Sequence, residues 1–72
     1  MHAILRNNLK VERARRNLTQ EQLAALARVT RKTINTIETG RFVPSTTLAL
    51  TLARVFGLRV EDLFELEDRE KP

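Results

Sequence analysis

Apolar residues recur along this chain at three- and four-residue spacings, and the order around each stripe repeats: a hydroxyl or amide side chain, the stripe, then a breaker. That order predicts helices with defined ends. Asn8 precedes Leu9, Val11 and Ala14, a first helix that stops near Asn17. Thr19 precedes Leu23, Ala24, Leu26 and Ala27, and Gln22 stands three residues after it, the pattern of a capping box. Thr30 opens a third segment with Ile34 and Ile37 on one side and Gly40 just past its end. Val43-Pro44-Ser45 then interrupts the helical run, because the residue before a proline avoids the helical region. Ser45 caps Leu48, Ala49, Leu52, Ala53, Val55 and Phe56, a stripe ended by Gly57. Glu61 and Asp62 suit the first turn of a short fifth helix carrying Leu63 and Phe64, although Arg59 is a poor cap for it. No strand-like alternation extends beyond Ala3 to Leu5, and residues 67–72 read as a frayed charged tail. The expectation is an all-α domain of five helices spanning 1–72.

Composition narrows what such a domain can be. With 72 residues and no cysteine, neither disulfides nor thiolate metal sites can stiffen it, and apolar packing has to hold it together. All three aromatic residues are Phe, too few to form the stacking platforms of single-strand binders. The net charge is +4, and it is unevenly placed. Residues 1–41 hold nine Lys/Arg against three acidic residues, while residues 42–72 hold four against six. A polyanion, nucleic acid first, is therefore expected to meet the first half. No run approaches the roughly 20 apolar residues of a membrane span, and Met1 to Leu5 is too short for a secretory core, so a cytoplasmic location is expected.

Thr19 to Gly40 carries the chemistry. Two helices of about eight residues flank only Arg28-Val29, which requires a sharp turn with Val29 directed inward. With Ile34 at zero on a wheel of about 100° per residue, the buried direction lies between it and Ile37. Lys32, Asn35, Thr36 and Thr39 then face outward and Arg31 lies on their flank. One apolar stripe backed by an ammonium, an amide and hydroxyls fits a DNA major groove.

The stretch LTQEQLAALARVTRKTINTIETGRFVPS resembles the Cro/Xre helix-turn-helix family, and VFGLRVEDLF resembles that family's usual ending. The resemblance covers about residues 8 to 64 and implies a lambda-repressor-like domain that binds double-stranded operator DNA, usually as a dimer. It implies that Arg31, Lys32, Thr36 and Asn35 read base edges. By the same resemblance Gln20, Thr33, Thr39 and Arg41 stand near phosphates, and Arg13 and Glu38 form a structural pair between the first and third helices. Three positions depart from the family pattern: Arg28 where glycine is usual, Glu12 where an apolar residue is common, and Arg59 in place of a capping residue.

An enzyme is a poor fit to these residues. The single histidine is His2, and there is no Cys nucleophile, no glycine-rich phosphate loop and no paired carboxylates in a pocket-forming context. Nothing calls for a cofactor or a metal. The expected function is a sequence-specific transcriptional regulator, a repressor or autoregulator such as a restriction-operon controller. The competing class is an antitoxin half or adaptor that uses the same fold to bind another protein. A homodimer is expected through the last helix and N-terminal segment, with Ile4, Leu5, Leu63 and Leu66 as apolar residues left over from the core.

Overall fold

The computed structural model describes residues 3–68. The order is β1 (Ala3–Asn7), α1 (Leu9–Arg15), α2 (Gln20–Ala27), α3 (Arg31–Glu38), α4 (Thr46–Phe56), α5 (Val60–Leu63) and β2 (Phe64–Asp68). The five helices stand where the apolar stripes place them, and their ends follow from local chemistry. Thr19 Oγ1 accepts from the Gln22 amide at 3.0 Å, while Gln22 Oε1 accepts from the Thr19 amide at 2.8 Å, closing the box. Thr30 Oγ1 accepts from the Thr33 amide at 3.2 Å, and Ser45 Oγ from the Leu48 amide at 3.1 Å. Gly57 ends α4 in the left-handed region at φ 69°, which glycine adopts without a Cβ penalty.

Six side chains are almost fully buried: Leu9, Leu23, Ile34, Ile37, Leu52 and Leu63. Each helix supplies at least one of them, so no helix can be removed without opening the core. Val29 lies half-buried against this cluster from the turn between α2 and α3. Among the described residues, no buried side-chain nitrogen or oxygen is left without a partner.

The architecture is helical but not purely so. β1 and β2 pair antiparallel, from Ala3 opposite Asp68 to Asn7 opposite Phe64. Their partnership joins segments 61 residues apart at Arg6–Glu67, with no turn between them to announce it. The pairing continues into the helical body, where the Asn8 amide donates to the Leu63 carbonyl at 2.9 Å. Glu67 and Asp68 therefore belong to a strand and not to a frayed tail; residues 69–72 of that expected tail lie outside the described residues. Leu63, expected to be spare, is in the core, and Leu5 packs against it; Ile4 and Leu66 are the two that stay exposed.

Two local expectations change as well. Asn8 makes no capping bond to α1; Asn7 does it instead, its Oδ1 accepting from the Leu9 amide at 3.2 Å. Glu12 does not merely thin the core. Arg16 binds its carboxylate at 2.8 Å, donates to the Phe56 carbonyl at 2.9 Å, and sets its guanidinium 4.6 Å from the Phe56 ring centroid. An ion pair laid on an aromatic face thus seals the side of the core where an apolar residue was expected. At Arg59 the side chain caps nothing, and Asp62 reaches back to its amide at 3.2 Å.

Candidate nucleic-acid interface

α2 and α3 meet across a turn in which Arg28 adopts φ 60° and ψ 42°. The left-handed residue lets the Val29 amide return to the Ala24 carbonyl at 3.0 Å, satisfying an orphan acceptor at the end of α2. Thr30 then starts α3 at once. The turn is short because one residue reverses the backbone and the next one fills the gap between the helices.

On α3, Ile34 and Ile37 are buried while Arg31, Lys32, Asn35 and Thr39 are exposed. Thr33 and Thr36 are half-buried at the edge of the exposed face. Thr36 Oγ1 donates back to the Thr33 carbonyl at 2.9 Å and to the Lys32 carbonyl at 3.0 Å; Thr39 Oγ1 donates to the Asn35 carbonyl at 2.9 Å. Both hydroxyl protons are thus turned into the helix, leaving methyl groups and oxygen lone pairs for a ligand. The cationic donors of this face are Arg31 and Lys32.

The end of α3 brings Arg41 alongside. Gly40 takes φ 78°, and the Arg41 and Phe42 amides both donate to the Thr36 carbonyl, at 2.9 and 3.1 Å. Lys32, Thr33, Thr36, Arg41 and Phe42 consequently line an open hollow of about 320 Å³ on the flank of α3. Phe42 was not singled out in the sequence; an aromatic residue two places after a helix-ending glycine was its only signal.

Behind the exposed face lies a polar clamp. Arg13 Nε donates to Glu38 Oε2 at 2.8 Å and Nη2 to Oε1 at 3.2 Å, while Nη1 donates to the Leu18 carbonyl at 2.8 Å. The hydrogen bonds to Glu38 raise the Arg13 pKa above its ordinary value, and burial opposes that shift. Gln20 Nε2 donates to both Glu38 Oε1, at 3.1 Å, and Asn35 Oδ1, at 3.2 Å. The first residue of α2 therefore fixes the amide of Asn35 from behind, with the clamp fixing Gln20 in turn. Arg13 and Glu38 do not lie on the exposed face, and Gln20 straddles the two layers.

Among the described residues, no three His, Cys, Asp or Glu side chains come together as a metal-binding group, and no helix is long and apolar enough to cross a membrane.

Comparison with known proteins agrees with this geometry. A helix-turn-helix family profile matches residues 9–63. An HTH-type transcriptional regulator of Methanocaldococcus jannaschii is 48% identical over 66 residues, covering 92% of this chain and all of that protein. One from Bacillus subtilis is 42% identical over 64 residues, covering 89% of this chain and 97% of its own. Among solved structures, the clp gene regulator ClgR from Corynebacterium glutamicum superposes with a TM-score of 0.71 at 30% identity. That match covers 75% of this chain and 57% of the ClgR chain. With α2, the left-handed turn and α3 in place and relatives matching over nearly their whole length, the chain belongs to the Cro/C1-type helix-turn-helix family of DNA-binding transcriptional regulators.

Proposed function

We propose that this DNA-binding transcriptional regulator acts as a repressor or autoregulator, a single domain that reads a two-fold operator as a homodimer and needs no cofactor. α3 enters the major groove of double-stranded DNA, with Arg31, Lys32 and Asn35 directed at base edges and Thr36 offering its methyl group to a thymine. Gln20, Thr33, Thr39 and Arg41 lie against the flanking phosphates. The observation that carries this reading is the division of α3 into a buried Ile34–Ile37 stripe and an exposed face holding Arg31, Lys32 and Asn35, with Arg41 brought beside it. Two half-sites about one helical turn apart supply the affinity that one such small surface lacks.

Selection of bound duplexes from a random library tests it. The expected product is an inverted repeat. Lys32→Ala then relaxes preference at particular base positions by roughly 1–3 kcal/mol. Arg41→Ala weakens all duplexes alike and lowers the salt slope by about one unit. Uniform losses for both variants across the library would refute the division of roles. No enriched duplex at all would favour a module whose main contact is a protein.

A further inference from the structure

A two-stranded ribbon is marginal by itself and presents two edges of unpaired main chain. Here the direction of every main-chain group can be worked out. The Asn8 amide meets the Leu63 carbonyl, and the β1–β2 register continues from that pair without a break. Hydrogen-bonded pairs alternate along an antiparallel ribbon. Arg6–Glu65 and Ile4–Glu67 therefore exchange bonds, whereas the main-chain groups of Ala3, Leu5 and Asn7 point away from β2. On the other strand those of Leu66 and Asp68 point away from β1, while the Phe64 amide is taken by the Val60 carbonyl. Among the described residues no third strand lies on either side.

The two edges differ in what a second copy would meet. Joining β2 to another β2 about Leu66 would set Glu65 directly opposite the partner's Glu67, twice over. Like charges in that position destabilise a sheet. Joining β1 to another β1 about Leu5 sets Leu5 opposite the partner's Leu5 and Ile4 opposite the partner's Arg6, with no like charges facing each other.

We propose that a second copy of this chain adds to the open edge of β1, merging two ribbons into a four-stranded antiparallel sheet with its two-fold axis at Leu5. The inference rests on the homodimer reading above and names its interface. Three hydrogen-bonded pairs centred on Leu5 give on the order of six new main-chain bonds. Leu5 and Leu66 are cross-strand neighbours on one face, so the merged sheet aligns a row of four leucines. That row covers Leu66, which is 70% exposed in the single chain. Each helical body is attached at the Asn7–Phe64 end of its ribbon, so the two-fold axis sends the bodies to opposite ends of the sheet, where they do not collide. The outer strands are then both β2, whose Glu65 and Glu67 stop the sheet from growing past a dimer.

Amide exchange measured across a dilution series, with sedimentation on the same samples, tests the interface. On dimer formation the Leu5 amide should slow by at least about tenfold while the Leu66 amide stays unchanged. Ala3→Pro and Asp68→Pro each remove an amide that points away from the ribbon, a position that tolerates proline. Ala3→Pro should weaken the dimer by about tenfold or more, and Asp68→Pro should leave it intact. Slow exchange of the buried Leu9 amide in both variants reports that the helical core remains folded. Protection of Leu66 in place of Leu5, or equal weakening by both prolines, overturns the β1 interface and leaves the homodimer standing. A monomer at every concentration overturns both.

Discussion

Arg13→Met is the perturbation that most directly weighs the clamp behind α3. Glu38 is the last residue of α3, where the helix dipole is unfavourable to a carboxylate, and its side chain is only 4% exposed. Three donor contacts compensate: two from the Arg13 guanidinium and one from Gln20. Methionine keeps the length and apolar character of the stem, 15% exposed in Arg13, but deletes both charged donors and the bond to the Leu18 carbonyl. Leaving one member of a buried pair unanswered costs about 3–5 kcal/mol, and the low end applies because Gln20 still binds Glu38. For a domain of this size, about 3 kcal/mol corresponds to a fall of roughly 12–24 °C in melting temperature. It is also a large part of the roughly 4–10 kcal/mol that 72 residues normally provide. Denaturant titration with an unchanged m-value would establish that stability, not the unfolded state, has moved. Arg13→Met/Glu38→Leu, which removes the stranded charge, should recover at least about 1 kcal/mol relative to Arg13→Met alone. A loss below about 1 kcal/mol in the single variant, or a further loss in the double one, would refute the reasoning.

Arg28→Gly should stabilise the free protein by up to about 1 kcal/mol, because Arg28 sits at φ 60° and is exposed; a melt with no rise in midpoint would show that the left-handed turn is not strained. Its DNA affinity should keep the same salt slope, since the turn lies behind α3; a shallower slope would place the Arg28 guanidinium on a phosphate. Arg16→Ala should cost about 1–2 kcal/mol in a denaturant melt by removing the Phe56 ring contact and carbonyl bond together, and a neutral result would mean the arginine is ornamental to the core. Leu63→Ala should cost about 2–5 kcal/mol and loosen the ribbon as well, detectable as faster exchange of the Asn8 amide that binds the Leu63 carbonyl.

The helices were legible because each is specified within about ten residues. Thr19, Thr30 and Ser45 bind the third helical amide in each case, and Gly57 takes the left-handed conformation its position demands. The outward face of α3 was legible for a related reason: Ile34 and Ile37 alone fix the buried side, and the rest follows from the helical period. The ribbon was not legible. AILRN offers three apolar residues and FELED alternates Phe and Leu with acids, but each reads as a strand only when the other is beside it. Neither has a turn next to it to set the register. The interface between Glu12, Arg16 and Phe56 failed to show for the same reason, since the charged pair makes sense only against a ring 40 residues away. The Gln20 bridge to Asn35 and Glu38 likewise depends on how close two helices approach, which no single-helix pattern encodes.

The ribbon also decides how the molecule would respond to mechanical load. Ala3 and Asp68 face each other at the outer end of the two strands, and Asn8 and Leu63 close the inner end. A force pulling residues 3 and 68 apart therefore meets the rungs one after another, as a zip opened from its free end, and never loads them in parallel. Separation proceeds rung by rung until it reaches Asn8 and Leu63, and only there does tension reach the side chains that hold the five helices together. A tether or fused domain attached at these two points could open the ribbon while the helix-turn-helix remained folded, so strain arriving through the ends is absorbed before it reaches α3.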